Sequence, residues 1–179
     1  MERTRHQQPK ELARFIEILK ANKVKNYLEI GAKHGDTLEQ IVSEVGCNAV
    51  AVDLPNGPWG GNSQSNLAEI ANRIGAIAIF GNSHDQAVID TVRAYGPYDA
   101  VLIDADHRYE AVEQDFYNYQ CKITALHDIA GHGLTLRDMK MGVPQFWQDI
   151  KDNFDHEEII DPSDDRPMGI GVIYEKRVS

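Results

Sequence analysis

The 179-residue sequence predicts an α/β fold with a doubly wound, mostly parallel seven-stranded sheet, an antiparallel C-terminal strand, and helices on both faces. Three observations carry that reading. Short apolar runs alternate five times with segments of helical periodicity, the pattern of parallel strands joined by right-handed crossovers. One of those runs, Asn48 to Asp53, is apolar almost throughout, which suits a strand covered on both faces. The last two strand-like runs have no helix between them, so one is expected to run antiparallel at the end of the order.

In chain order, Leu12, Phe15, Ile16 and Leu19 make a helical stripe over Pro9 to Asn22, with Pro9 suited to a first turn. This leading helix is expected to cover a sheet face and help close a ligand site. Residues 27 to 30 read as the first strand, and Leu38 to Val45 as an amphipathic helix stopped by Gly46. After Asn48 to Asp53 comes a loop, residues 54 to 63, rich in Gly, Pro and Asn. Gln64 to Ile74 is helical in pattern, Ala76 to Phe80 a third strand, and Gln86 to Ala94 a helix. A turn at Gly96-Pro97-Tyr98-Asp99 leads to a fourth strand, Ala100 to Asp104, then a helix from Tyr109 to Tyr119. The fifth strand is Lys122 to His127. A glycine-rich loop, Ala130 to Gly142, precedes a helix from Val143 to Phe154. Strands at Glu157 to Ile160 and Gly169 to Glu175 close the sheet, with the polar Asp161 to Pro167 between them. No repeat or linker interrupts the pattern, so residues 1–179 are expected to form a single domain, with residues 1–8 loose.

Composition narrows the function. A net charge of −10, from 18 basic and 28 acidic residues, offers no general field for nucleic acid or an anionic membrane. It leaves room for a local basic patch. Cys47 and Cys121 have neither pairing nor metal-type spacing and are expected as reduced thiols in a cytoplasmic protein. No apolar run approaches the ~20 residues of a membrane span, and no signal-peptide core is present.

In open α/β sheets ligands bind beyond the carboxyl ends of the strands. Glu29, Asp53, Asn82-Ser83, Asp104 and Asp128 all fall at such ends. Around the first, Glu29-Ile30-Gly31-Ala32-Lys33-His34-Gly35 is an acid followed by G-x-x-x-G, not the G-x-G-x-x-G of dinucleotide sites. Gly31 permits a tight turn, and the amides opening the next helix suit a polar or anionic group. Asp53, with Leu54 beside it, can accept from two ribose hydroxyls or be satisfied by loop amides. Asn82 and Ser83 can meet an adenine edge, or Ser83 or Asp85 can cap the following helix. Asp104-Ala105-Asp106-His107 sets two acids and a histidine past the fourth strand. Asp104 can ligate a cation or contact a cofactor amino group, and His107 can act as a base near neutral pH or merely cap a helix with Asp106. Over the same rim, His132 and Arg137 lie in a loop that is either a lid or an exposed connection. Trp59 either stacks on adenine or fills surface. The acids Asp152, Asp155, Glu157, Glu158, Asp161, Asp164 and Asp165 read as a solvated face.

The Glu29 to Gly35 segment resembles the first motif of class I S-adenosylmethionine-dependent methyltransferases, which have a Rossmann-like sheet. D-A-D-H-R-Y-E from Asp104, followed by Val112, Asp115 and Phe116 and then His127-Asp128, is similar to the subgroup of small-molecule O-methyltransferases and cephalosporin-hydroxylase-like proteins. The similarity runs from about Asn26 to Asp128, with weaker echoes at Gly142 to Trp147 and Gly169 to Ile173. It implies that Glu29, Gly31, Ala32 and Gly35 frame the methionine part of S-adenosylmethionine, and that Asp53 and Leu54 take the ribose. Asn82 and Ser83 would take the adenine, and Asp104 would also border the cofactor. The resemblance further implies Mg2+ on Asp104 and Asp128, with Asp104 and His107 catalytic and His107 removing the acceptor's proton. One departure stands out: Ile129 occupies the place where catechol-type relatives have asparagine. His127 or a loop residue would then complete the ligands, unless His127 is a core histidine bonded to backbone.

The implied activity is methyl transfer to a hydroxyl of a small molecule, a sugar or secondary metabolite. Self-association through the leading helix or the last strands is compatible with the sequence, though no pattern specifies it. Two other readings remain: a nicotinamide enzyme on the same fold, and a non-catalytic domain that binds nucleoside, S-adenosylmethionine or a partner protein.

Overall fold

The computed structural model describes residues 7–55, 63–131, 141–163 and 167–175. Apolar strand residues that alternate between two covered faces force helices onto both sides of the sheet. The helices are α1 (Pro9–Ala21), α2 (Asp36–Val45), α3 (Ser63–Ile74), α4 (Gln86–Tyr95), α5 (Tyr109–Tyr119) and α6 (Val143–Ile150). The strands are β1 (Asn26–Ile30), β2 (Asn48–Asp53), β3 (Ile77–Phe80), β4 (Ala100–Ile103), β5 (Ile123–His127), β6 (Asp155–Ile159) and β7 (Ile170–Tyr174). They form one seven-stranded sheet in the order β3-β2-β1-β4-β5-β7-β6. β1 to β5 pair in parallel, and β7 runs antiparallel between β5 and β6. The mostly parallel sheet with an antiparallel C-terminal strand is the architecture that the pattern predicts, but that strand lies inside the order instead of at its end.

Two cores flank the sheet. On one side Leu12, Phe15, Ile16 and Leu19 of α1, Leu38 and Ile41 of α2, and Leu67 of α3 pack on Tyr27, Ala51, Leu102 and Ala125. On the other, Ile89 and Val92 of α4, Val112 and Phe116 of α5, and Phe146 and Trp147 of α6 pack on Leu28, Ile30, Val101 and Leu126. Parallel register brings the carboxyl ends of β1, β2 and β4 level: Ile30 pairs with Val52 and with Ile103. The Asp104 amide extends that ladder by donating to the Ile30 carbonyl at 2.8 Å.

Most boundaries shift by one or two residues, and three departures have a clear cause. The helix that periodicity carries to Phe154 stops at Ile150 in a 3-10 turn over Lys151–Asn153. β6 then begins at Asp155 instead of Glu157, because main-chain pairing with β7, not side-chain pattern, selects it. Gln7, expected in a loose tail, is 8 % exposed and fixed by a hydrogen bond to Asp104. Residues 1–6 of that tail lie outside the described residues, as does the 164–166 part of the acidic stretch. Buried Glu11 ties α1 to the chain's end: its carboxylate accepts from the Asp161 and Gly169 amides at 3.0 and 2.9 Å. Elsewhere in that stretch Glu157 pairs with Arg14, Glu158 with Lys151, and Asp161 with Lys10. Among the described residues no helix is long and apolar enough to cross a membrane. Cys47 and Cys121 are free thiols.

Candidate active site

The turn after β1 is built by steric exclusion. A Cβ on Gly31, whose φ is +91°, would lie 2.2 Å from the Asp104 carbonyl oxygen, so β1 and β4 approach this closely only through glycine. The chain continues through buried Ala32 and left-handed Lys33 to Gly35, the N-cap of α2, which supplies no side-chain cap. Asp53 faces this loop from the end of β2. One of its oxygens accepts from the Lys33 amide and the other from the Leu54 amide at 2.6 Å. The loop-amide arrangement thus holds, and it coexists with ribose binding because an ionised carboxylate has about four acceptor sites. Burial raises the Asp53 pKa against these amide bonds, which lower it.

Glu29 lies deeper than its expected place at the strand's mouth. Side chains two apart on a strand share a face, so Glu29 points with Tyr27 toward the α1–α2 layer, 2 % exposed. The Tyr27 hydroxyl donates to it at 3.0 Å. Burial, reinforced by Asp104 and Asp53, pushes its carboxyl up to about 8 despite the Tyr27 bond, so it is mostly neutral at pH 7. Beyond β3, Gly81 donates to the Asp53 carbonyl, which places Asn82 and Ser83 beside the end of β2. The exposed Asn82 side chain accepts from the His84 amide, and the Ser83 carbonyl accepts from the Tyr119 hydroxyl. Asp85 occupies the N-cap of α4 but makes no side-chain cap bond.

Next to this cradle stands a closed ring of two carboxylates and two imidazoles. Asp104 follows β4, and His127 and Asp128 end β5. His107 Nε2 lies 3.3 Å from Asp104 Oδ1, and its Nδ1 lies 3.3 Å from Asp128 Oδ2. His127 Nδ1 lies 3.2 Å from Asp104 Oδ1 and 3.4 Å from Asp128 Oδ1. Gln7 Nε2 donates to Asp104 Oδ2 at 2.7 Å. Asp128 has φ +65°, a left-handed turn that Asp tolerates better than most residues and that carries the chain away from β5. Ile129, 5 % exposed, packs in the α5–α6 core and offers no donor.

Burial alone would raise the Asp104 pKa, yet the two histidines hold it well below the usual carboxylate range. Burial alone would lower His127, but Asp104 and Asp128 lift it to about 10. His107 is likewise raised by the same acids against its own desolvation. That differs from a base poised at neutrality: the flanking carboxylates favour its charged form. The backbone bonding expected of a core histidine is not found at His127, whose ring nitrogens both lack a partner at hydrogen-bond geometry. Asp104, His127 and Asp128 place donor atoms within 4.8 Å of one another, a set whose chemistry fits a divalent cation.

Sequence reading missed two residues at this rim. Gln7 carries no local signal, and half-buried Lys33, close enough to feel Asp104 and Asp53, is hidden between the glycines of the turn. Trp59, His132 and Arg137 lie outside the described residues. Gly142 packs the start of α6 against the His107 segment: its amide donates to the His107 carbonyl at 2.7 Å, and a Cβ there would lie 2.1 Å from the Tyr109 nitrogen.

No protein-family model matches the chain. No curated protein matches it either. Solved structures do. An O-methyltransferase from Bacillus cereus in complex with SAH superposes with a TM-score of 0.71 at 13% identity, covering 97% of this chain and 84% of that one. The O-methyltransferase TomG from Streptomyces achromogenes, involved in tomaymycin synthesis and solved with SAM, gives 0.67 at 14% identity, covering 94% and 80%. The SAH-bound methyltransferase PaMTH1 of Podospora anserina gives 0.63 at 15% identity, covering 93% and 78%. At these identities the likeness is one of fold, and the fold is that of the Rossmann-like methyltransferases.

Proposed function

We propose that this protein is an S-adenosylmethionine-dependent methyltransferase that methylates a hydroxyl of a small molecule. The observation that carries the reading is the juxtaposition along one sheet edge. A glycine turn faced by Asp53 stands beside an acid–histidine ring built on Asp104, His107, His127 and Asp128. SAM- and SAH-bound structures share the fold, which supports the choice of cofactor.

In this reading Asp53 accepts from the ribose hydroxyls and Asn82 and Ser83 border the adenine. Gly31, Ala32 and Gly35 leave room for the methionyl chain. Glu29, neutral beneath them, supports the turn through Tyr27 instead of meeting the ligand as an anion. The acceptor hydroxyl sits over Asp104 and His107. Bound S-adenosylmethionine would supply an electrophilic methyl group and leave as the neutral thioether, while His107 would take the proton that the acceptor hydroxyl gives up. A divalent cation on Asp104 and Asp128 would supply a positive charge that lowers the hydroxyl's pKa and fixes its oxygen. Holding the two reactants in line supplies much of the rate enhancement.

A second reading keeps cofactor binding without catalysis. It is favoured by the clamp on His107, both of whose ring nitrogens face carboxylates. Incubation with S-adenosylmethionine labelled in its methyl group and a panel of hydroxylated small molecules separates the two. Labelled ether product supports methyl transfer. Cofactor binding without product for any acceptor favours the second reading, and no cofactor binding removes both.

A further inference from the structure

His127 is a buried polar residue to which the proposed chemistry gives no role. It is 3 % exposed at the end of β5, and neither ring nitrogen has a partner at hydrogen-bond geometry. A buried imidazole that meets two carboxylates without hydrogen-bond alignment fits a residue arranged around a ligand shared with them. Its Nδ1 faces the Oδ1 atoms of Asp104 and Asp128 at 3.2 and 3.4 Å. The Gln7 amide holds the other Asp104 oxygen, leaving Oδ1 turned to the cluster. The next residue, Ile129, is apolar and buried, so no oxygen donor follows Asp128 directly.

We infer that Asp104, His127 and Asp128 form a mixed nitrogen–oxygen site selective for a divalent first-row transition ion, Mn2+ or Co2+ in preference to Mg2+. The inference rests on the cation-assisted form of the proposed function and concerns which ion that site takes. Mg2+ is a hard ion that favours an all-oxygen octahedral shell and retains its waters. An imidazole nitrogen is a poorer ligand for Mg2+ than for first-row transition ions, among which Mn2+ binds most weakly and Co2+ more tightly. His107, 3.3 Å from each carboxylate, borders this site without being one of its ligands.

The test uses the full chain stripped by chelation and titrated calorimetrically with Mn2+ and with Mg2+, without any S-adenosyl ligand. Mn2+ is expected to bind at least roughly tenfold more tightly than Mg2+. Pulsed electron paramagnetic resonance of bound Mn2+ is expected to show a directly coordinated imidazole nitrogen. That signal persists in His107→Ala and is lost in His127→Asn, where the preference for Mn2+ also narrows. Should His127→Asn fail to fold, the wild-type and His107→Ala spectra decide. Equal affinities, no binding of either ion, or bound Mn2+ lacking a nitrogen ligand would overturn the inference. Cofactor titration is a separate measurement, so Mn2+ binding without S-adenosylmethionine binding marks failure of the methyltransferase reading and not of this site.

Discussion

Glu29 and His107 are displaced from their ordinary acid–base behaviour in ways that set distinct pH signatures. Glu29 has a folded pKa of about 8, above the ordinary 4.5, because burial opposes its charge. Between those values the folded chain holds a proton that the unfolded chain has released. Stability is therefore full at the acid end of the window and falls as pH rises through it, by at most about 1.4 kcal/mol per pH unit. Glu29→Gln keeps an acceptor for the Tyr27 hydroxyl and removes the titration. Denaturant melts are expected to show a flatter stability profile between about pH 5 and 8 for the variant; an unchanged slope would show that Glu29 is not the titrating group. His107 is raised by Asp104 and Asp128, so its base form grows only above the ordinary histidine range. Turnover is expected to climb with pH, with a midpoint above that of an ordinary histidine, and His107→Ala to lower kcat about 10²–10⁴-fold with little change in cofactor affinity. A pH-independent rate would remove His107 as the base.

At the scale of elements, the unit of β1, its turn and α2 forms the glycine-turn side of the candidate site. Its tolerance is set by the contact between Gly31 and the Asp104–Ala105 backbone. Gly31→Ala adds a Cβ 2.2 Å from a carbonyl oxygen at a left-handed φ. We expect a loss of about 3 kcal/mol, or roughly 6–12 °C in Tm, measured by thermal melts. A variant within about 1 °C of wild type would mean that the turn is not constrained as described. The same unit shows why the fold was legible. Tyr27 to Ile30, Asn48 to Asp53 and Ala100 to Ile103 are mostly apolar, buried on both faces and bounded by glycine or acid, so strand type and end follow from local composition. β6 was less legible because Asp155-His156-Glu157-Glu158 carries no apolar alternation and becomes a strand through pairing with β7. The end of α6 was obscured for a related reason: Lys151–Asn153 keeps helical spacing in a tighter turn.

For the whole molecule, the site exists only because distant segments meet at one edge of the sheet. Its acids were legible one by one, since each ends an apolar run. The Gln7–Asp104 bond spans 97 residues and has no sequence signature. His127 read equally as core or ligand until its unbonded ring was seen beside two carboxylates. Long-range ties also hold the two ends of the chain together. Glu11→Ala strands the Asp161 and Gly169 amides and is expected to cost about 2–3 kcal/mol in denaturant unfolding. A neutral result would show that the connection before β7 does not depend on α1.

The central claim, that this edge cradles an S-adenosyl ligand on Asp53, is tested most directly by calorimetric titration of wild type and Asp53→Ala with S-adenosylhomocysteine. Saturable one-site binding to wild type is predicted, weakened about 10- to 100-fold in the variant, the loss expected for hydrogen bonds to a charged acceptor. No heat of binding at millimolar ligand, or equal affinity in the two proteins, would contradict it.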